Sequence, residues 1–263
     1  MRAVAILLVL TFALVGCGAK AHAPQFHAQY YPQCYDPIDK LCKDQEHGSE
    51  VKSAAVGGLL GAIGGAVIGG LTSRDVRGAL IGAAAGGVAG ATIGFFKARL
   101  EKIQDRDQRL AEYQKILGEN SESWDLERAS VEKAYLCYGE QIRHLKMLAK
   151  KKQISREEFL ARMHEIKAGI ENINTYWANA QTRMDSRLAD GEAFLTRQEA
   201  EDKKLAAARR HAAHRQVQAQ RQNTQRQRDK KNSDVAKLNS LRDSVTQELQ
   251  DTDMYFKTSK EFA

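Results

Sequence analysis

Residues 57–70 read GGLLGAIGGAVIGG, and residues 78–96 read GALIGAAAGGVAGATIGFF. In both stretches glycine returns at every fourth position, which places the glycines above one another on one face of an α-helix. A face of this kind is a flat groove into which a second helix backbone can pack. The glycines that keep the spacing are Gly57, Gly61, Gly65, Gly69, Gly78, Gly82, Gly86, Gly90 and Gly94. We call residues 53–96 the zipper region.

The zipper region has a composition that suits lipid better than water. In water each interior glycine costs a helix about 1 kcal/mol relative to alanine. In lipid the backbone must bond to itself, and small residues four apart let helices pack closely. Residues 53–71 and 76–96 are each about 30 Å long as helices, and the polar turn between them carries Arg74 and Arg77. We predict a transmembrane helical hairpin; a soluble helical pair and a low-complexity linker are the alternatives.

The first seventeen residues have the form of a bacterial lipoprotein signal. A basic start at Arg2 precedes the apolar residues 3–15, and residues 14–17 (LVGC) form a lipobox. We predict cleavage of residues 1–16 and attachment of diacylglycerol and an N-acyl chain, typically palmitate, to Cys17. Gly18 follows instead of an aspartate that would retain the protein in the inner membrane, so the outer membrane is favoured. An ordinary secretory signal cut elsewhere is the alternative.

The lipobox, a short spacer and the double glycine repeat together resemble a known family. They are similar to the glycine-zipper (2TM) outer-membrane lipoproteins of Gram-negative bacteria, of the SlyB and seventeen-kilodalton surface-antigen kind. The resemblance covers about residues 1–96 and implies a lipid-anchored protein of membrane integrity, or a component of a larger envelope complex. The chain departs from this family after Lys97, where a long charged segment replaces the compact C-terminal portion.

Residues 17–52 are predicted to be an irregular, lipidated tether. All three prolines of the chain lie there, which argues against regular structure. Export places the cysteines in an oxidising compartment, so we expect a small disulfide loop between Cys34 and Cys42. Cys137 would then be free and buried or would join two copies; alternatively, it is the true partner of one of the other two.

Residues 97–196 are predicted to form a long antiparallel coiled-coil hairpin. Its first arm carries an apolar stripe from Leu110 to Leu145, with a weak break near Gly118 and a firmer one at residues 150–153. Ser155 and Glu158 form a capping box for the second arm. That arm has the clearest heptad repeat of the chain, which requires a partner stripe. The repeat consists of Phe159, Met163, Ile166, Ile170, Ile173, Trp177, Ala180 and Met184.

Residues 197–231 are predicted to be a basic helix or a disordered segment. Ten basic residues and one acidic residue lie between positions 203 and 231, although the whole chain has a net charge of only +7. Behind a lipobox, the candidate polyanions are lipid phosphates, lipopolysaccharide, peptidoglycan or an acidic protein. The candidate anion-binding residues are Arg74, Arg77, Arg209, Arg210, Arg215 and Arg221. A solvated face without a ligand is the alternative. Residues 232–263 are predicted to form a short last helix and a tail, and the helix carries an apolar stripe that docks on the hairpin or on another copy. The stripe consists of Val235, Leu238, Leu241, Val245 and Leu249.

Catalytic and metal-binding motifs are not apparent in this sequence. The glycines lack the lysine and serine or threonine of a phosphate loop, and His211 and His214 lack a third metal ligand. We therefore predict an all-α structural protein, not an enzyme, without metal or cofactor apart from the lipid on Cys17. We expect it to form homo-oligomers through the glycine faces, to bind membrane lipid, and to bind no nucleic acid. The alternative function is a subunit of a secretion, pilus or conjugation apparatus.

Overall fold

The computed structural model describes residues 28–47 and 95–258. The described residues are helical or lie in short connections, and they contain no strand, so the all-α prediction is confirmed for this part. Several expectations lie outside the described residues. These are the signal at residues 1–16, lipidation of Cys17, the transmembrane hairpin up to residue 94 with its nine glycines, and the arginines Arg74 and Arg77. The predicted end of the hairpin at residue 96 is wrong, because Phe96 belongs to a helix that starts at Phe95 and its side chain is buried in the bundle.

Five helices are present in the described part of the chain. They are α1 (Pro32–His47), α2 (Phe95–Leu100), α3 (Arg106–Lys150), α4 (Arg156–Asp202) and α5 (Ala207–Thr258). The long helices α3, α4 and α5 run up, down and up, because short turns join them in sequence. Tyr113 near the start of α3 contacts Phe194 near the end of α4, and Phe159 near the start of α4 stacks on Phe256 of α5. The result is a three-helix bundle.

The turn between α3 and α4 is the one that the sequence predicted. Helix α3 ends at Lys150, and Lys152 has a positive φ of 55°, which the chain uses to reverse direction. Ser155 then caps α4, and its hydroxyl accepts a hydrogen bond from the backbone N–H of Glu158 at 3.2 Å. The predicted break near Gly118 is absent, because α3 continues without interruption through residues 118–121.

The predicted heptad repeat of α4 is confirmed as its buried face. All eight residues from Phe159 to Met184 that define the repeat are buried, as is the stripe of α3 from Leu110 to Leu145. The rings of Trp124 and Trp177 meet across the interface with centroids 4.7 Å apart. Burial of large apolar side chains at about 2 kcal/mol each therefore holds α3 against α4.

Helix α5 corrects the prediction for the C-terminal third. The sequence suggested a basic segment over residues 197–231 and a separate short helix from residue 232, whereas one helix of 52 residues spans Ala207–Thr258. It is neither disordered nor a lone solvated helix, because one of its faces packs on α3 and α4. The buried residues of this face are Ala213, Val217, Thr224, Lys231, Asp234, Leu238, Val245, Leu249, Thr252 and Phe256. The predicted stripe from Val235 to Leu249 does pack on the hairpin, so that alternative is confirmed. In the first half of α5, polar residues concealed the buried face.

The tether prediction is wrong for residues 32–47, which form α1. Pro32 is the first helical residue, a position where a missing N–H costs nothing. The predicted disulfide between Cys34 and Cys42 is also wrong, because Cys34 is bonded to Cys137. Eight helical residues separate Cys34 from Cys42 by about 12 Å, whereas a disulfide needs Cα atoms within about 7 Å. The open alternative that Cys137 is the true partner is confirmed.

Within residues 28–47 and 95–258, no helix combines the length and the apolar composition needed to cross a bilayer.

Candidate anchoring site

Glu165 of α4 holds the segment that leads into α1. Its carboxylate is buried and accepts hydrogen bonds from three consecutive backbone N–H groups, those of Gln29 at 2.9 Å, Tyr30 at 2.9 Å and Tyr31 at 2.7 Å. A carboxylate is suited to this role because it accepts several bonds at once and because charged acceptors bind about twice as strongly as neutral ones. Arg162, one turn earlier on α4, places its guanidinium 5.3 Å from the centre of the Tyr30 ring.

Three residues after Tyr31, the disulfide between Cys34 and Cys137 fixes α1 to α3. Its Cα atoms are 5.3 Å apart, and it closes a sequence separation of 103 residues that includes the whole zipper region. In the chain-entropy account, a loop of this length stabilises the folded state by up to about 5 kcal/mol. Burial of Cys34 and Ile38 against the main core adds to this attachment.

The direction of α1 follows from these two attachments. Gly169 of α4 lies against Tyr138 of α3, so in the antiparallel pair Glu165 lies level with Ile142. Cys137 is about one and a half turns closer to the start of α3 than this level. Helix α1 therefore runs antiparallel to α3, and its last residue, His47, lies closer to the start of α3 than Cys34 does.

Asp190 of α4 holds the chain where it returns from the zipper region. Its buried carboxylate accepts a hydrogen bond from the backbone N–H of Phe96 at 2.9 Å, in the first turn of α2. Burial raises the pKa of Asp190, while the bond from Phe96 acts in the opposite direction. The ring of Phe96 is fully buried, and Tyr113 lies between it and Phe194 with centroids 5.2 Å from each.

We define the anchoring site as Glu165, Asp190 and the disulfide between Cys34 and Cys137. It fastens both segments that flank the zipper region to the same three-helix bundle, with a carboxylate of α4 at each attachment. Tyrosines support both attachments, and burial raises the pKa of Tyr31 and that of Tyr113, the latter to about 12. These phenols therefore stay protonated at neutral pH.

The anchoring carboxylates were not recognised from the sequence. Glu165 and Asp190 lie in a helix rich in acidic residues, most of which face solvent. The available signal was position, because Glu165 directly precedes Ile166 of the heptad repeat and Asp190 directly precedes Gly191, another residue of the buried face. An acidic residue on the edge of an apolar face indicates a buried partner, but a backbone N–H group partner leaves no trace in the sequence.

A polar layer interrupts the apolar interface of α3 and α4. Glu127 forms an ion pair with Arg183 at 3.1 Å, and the guanidinium of Arg187 donates to the side-chain oxygen of Asn120 at 3.0 Å. Burial lowers the pKa of Arg187 and the charge of Glu127 partly restores it, so the residue remains a cation. These residues line a small pocket beside Trp124. Their contacts fix the register of the two helices.

The predicted anion-binding residues of α5 fall into two groups. Arg209, Arg210 and Arg215 are exposed in the first turns of the helix. Arg221, in contrast, is already paired with Glu192 at 3.0 Å and with Glu199 at 2.9 Å, so it serves the bundle. His214 lies 3.5 Å from Glu199. Over the described residues, no three histidine, cysteine or acidic side chains are grouped so that they could hold a metal ion.

Comparison with known proteins gives a family match for the N-terminal region. Neither the curated proteins nor the solved structures include one that matches this chain. Glycine zippers pack helices within membranes, so a zipper favours a membrane-associated protein. Residues 1–98 match the family model described as YMGG-like Gly-zipper, which confirms the resemblance of this region to glycine-zipper proteins.

Proposed function

We propose that the protein is a lipid-anchored structural protein of the bacterial outer membrane, without catalytic activity. Acyl chains on Cys17 and the inserted zipper hairpin would hold it in the membrane, and the three-helix bundle would stand in the periplasm as a spacer or scaffold. Copies would associate through the glycine faces of residues 57–94. The match of residues 1–98 to a glycine-zipper family favours membrane association, and the proposal extends this association to the whole chain.

The observation that carries this proposal is the double attachment of the zipper region. Both flanking segments are fastened to the bundle, one by Glu165 and the disulfide and the other by Asp190. A force between membrane and bundle would therefore act on packed helices and not on a loose tether. This arrangement suits a scaffold, because a scaffold must hold its position relative to the membrane.

The disulfide gives independent support for export. Disulfides persist in the periplasm and on cell surfaces and are rare in the bacterial cytoplasm. Cys34 and Cys137 lie on different helices and are both needed to attach α1. This agrees with the predicted export signal, which would deliver the chain to an oxidising compartment.

The test of membrane anchoring is cell fractionation followed by carbonate extraction. We expect the wild-type protein in the outer-membrane fraction after extraction, with a mature mass that includes the lipid on Cys17. A version with a cleavable non-lipoprotein signal and Cys17→Ser should still resist extraction, because the zipper hairpin alone inserts. Release of that version into the soluble fraction would contradict insertion, and the lipid would then be the only anchor.

The test of association uses the glycine faces. Replacement of Gly82 and Gly86 by leucine fills the groove and should abolish oligomers that chemical cross-linking detects in membranes. Leucine at Ala83 and Ala84, which are outside the four-residue repeat, is the matched control and should leave the oligomers intact. Cross-linked species that persist in the glycine variant would show that copies associate through another surface.

A further inference from the structure

Five exposed basic side chains surround the turn between α4 and α5. They are Lys203, Lys204, Arg209, Arg210 and Arg215, which we call the basic turn. The carboxylates nearest in sequence are already paired within the bundle: Glu199 with Arg221, Glu201 with Arg109, and Asp202 with Arg106. Of the five, Arg210 donates to the backbone oxygen of Leu205 and keeps its charge. The three acids that precede the basic turn in sequence are therefore paired with other arginines and do not neutralise its positive charge.

The basic turn lies at the end of the bundle where the chain returns from the zipper region. Phe96 and Leu100 of α2 pack in one cluster with Leu195 of α4 and Val217 of α5, which flank the turn. Asp190, which holds Phe96, is about 18 Å along α4 from the last residue of that helix. Helix α1 also runs toward this end. Of the described segments on either side of residues 48–94, one therefore packs at the end that carries the basic turn and the other runs toward it.

The opposite end of the bundle provides a natural comparison. Its turn, between α3 and α4, also presents two consecutive exposed lysines, Lys151 and Lys152. The 45 residues of α3 separate the two ends by about 65 Å. The two turns therefore offer trypsin similar sites at very different distances from the zipper attachments.

We propose that the basic turn binds the phosphates of anionic phospholipids in the membrane that the zipper region enters. This inference rests on the proposed insertion of the zipper. Exposed Lys and Arg side chains beside an anionic bilayer each strengthen binding about fivefold, and salt screens the effect within about 10 Å. Several such groups at one end would press that end of the bundle against the lipid headgroups and set the tilt of the bundle.

The experiment is limited trypsin digestion of the full-length protein in vesicles. One set of vesicles contains phosphatidylcholine alone, and the other contains phosphatidylcholine with phosphatidylglycerol. Mass spectrometry gives the ratio of cleavage after Lys203 and Lys204 to cleavage after Lys151 and Lys152. Cleavage after Lys151 and Lys152, in the turn between α3 and α4, measures how many molecules have their bundle on the side of the vesicle that trypsin reaches. We expect the ratio to fall severalfold when phosphatidylglycerol is present and to recover at high salt.

The variant Arg209→Gln with Arg215→Gln tests the charges and leaves the cleavage sites intact. We expect it to lose most of the protection, since two charges at about fivefold each give about 25-fold weaker binding. The control is Lys133→Gln with Lys237→Gln, which removes the same charge from exposed positions in the middle of the bundle. It should keep the protection of the wild-type protein.

The outcomes separate this inference from the proposed function. Lipid binding by the basic turn would be overturned if the cleavage ratio were the same in the two kinds of vesicle. It would also be overturned if the variant of Arg209 and Arg215 and the control variant of Lys133 and Lys237 were equally protected from trypsin. Carbonate extraction of the same vesicles tests insertion separately. If the protein washes off, insertion is wrong; salt-sensitive protection on phosphatidylglycerol vesicles would then still support the basic turn, and its absence would overturn both.

Discussion

The buried faces of α4 and α5 lie in the same bundle but differ in chemistry. From Phe159 to Met184, the residues that define the heptad repeat of α4 are all apolar, whereas the buried face of α5 includes Thr224, Lys231 and Asp234. Apolar contacts are strong but tolerate sliding, because they have little directional preference. Hydrogen bonds require particular partners at particular distances. The apolar repeat of α4 therefore contributes adhesion, whereas the polar residues of α5, like the polar layer between α3 and α4, contribute alignment.

The polar contacts of α5 share one register with α3. The hydroxyl of Thr224 bonds to that of Tyr113 at 2.8 Å, and the indole N–H of Trp124 donates to Asp234 at 3.0 Å. The side-chain amide of Gln227 donates to the backbone oxygen of Leu117. The sequence separations of these pairs are 111, 110 and 110 residues, as expected for parallel helices held at a single offset. A shift by one turn would break all three contacts.

The largest expected effect is on the apolar face. Ile173→Ala removes a fully buried side chain from the interface of α3 and α4 and should lower the free energy of unfolding by about 3 kcal/mol. Urea unfolding followed by far-ultraviolet circular dichroism measures it. Leu160→Ala, at a position 47 % exposed on the same helix, is the control and should cost much less. Equal losses would show that α4 is not packed as described.

A glycine pair tests how tightly the same interface is packed. A Cβ atom at Gly169 would collide with the buried Tyr138 hydroxyl, so Gly169→Ala should destabilise the bundle by about 2 kcal/mol. At Gly118 no atom of another described segment lies within 4 Å of the added atom, and Gly118→Ala should stabilise α3 by about 1 kcal/mol through helix propensity. Thermal melts of both variants check the opposite signs. A stabilised Gly169 variant would contradict the close packing.

The two tryptophans compare the two faces most directly. Trp124 donates a hydrogen bond to Asp234 of α5, whereas the buried indole nitrogen of Trp177 has no hydrogen-bond partner among the described residues. Both Trp→Phe changes remove the same volume. Trp124→Phe should therefore cost about 1.5 kcal/mol more than Trp177→Phe, because it leaves the Asp234 carboxylate without this donor. Urea unfolding of the two variants gives the difference, and equal costs would mean that the polar contact contributes no stability.

The smallest effect is expected at the end of α4 and depends on pH. Burial would raise the pKa of Asp202, but hydrogen bonds from Arg106 and Gln198 outweigh it and hold the pKa below the ordinary value of 3.8. A lowered pKa contributes stability above the ordinary value, and this stability is lost as the pH falls through the folded-state value. Asp202→Asn should therefore cost about 1 kcal/mol at neutral pH.

The pH dependence of that difference is the decisive part of the test. Unfolding free energies of wild type and Asp202→Asn, measured from neutral pH down to about pH 3, should converge as Asp202 becomes protonated. Asp190 is unchanged in both proteins, so its titration cancels from the difference. A gap that stays constant over this range would show that the ion pair with Arg106 is not formed.

The same contrast explains what the sequence could and could not predict. The repeat from Phe159 to Met184, the turn at Lys150 and the cap at Ser155 depend on local pattern and were predicted correctly. The first half of α5 was missed as part of the bundle because Thr224 and Lys231 occupy core positions only by virtue of partners distant in sequence. Lys231, for example, reaches Asp185 of α4 at 2.7 Å.

The anchoring site was missed for a related reason. Cys34 pairs with Cys137 and not with Cys42 because residues 32–47 are helical. The three prolines of residues 17–52 argued against a helix there. Glu165 acquires its role from backbone N–H groups, which every residue except proline carries. Contacts of this kind depend on the tertiary fold, so pattern alone does not specify them.

The measurement that tests the double attachment most directly is amide hydrogen exchange of the full-length protein. We predict that the amides of Gln29, Tyr30, Tyr31 and Phe96 exchange slowly, and that Glu165→Ala accelerates the first three while the Phe96 amide stays protected. The control Glu171→Ala, at an exposed position of α4, should change none of them. If these four amides exchange in the wild-type protein at the rate of an unstructured chain while α4 is protected, the zipper region is not fastened to the bundle and the account is wrong.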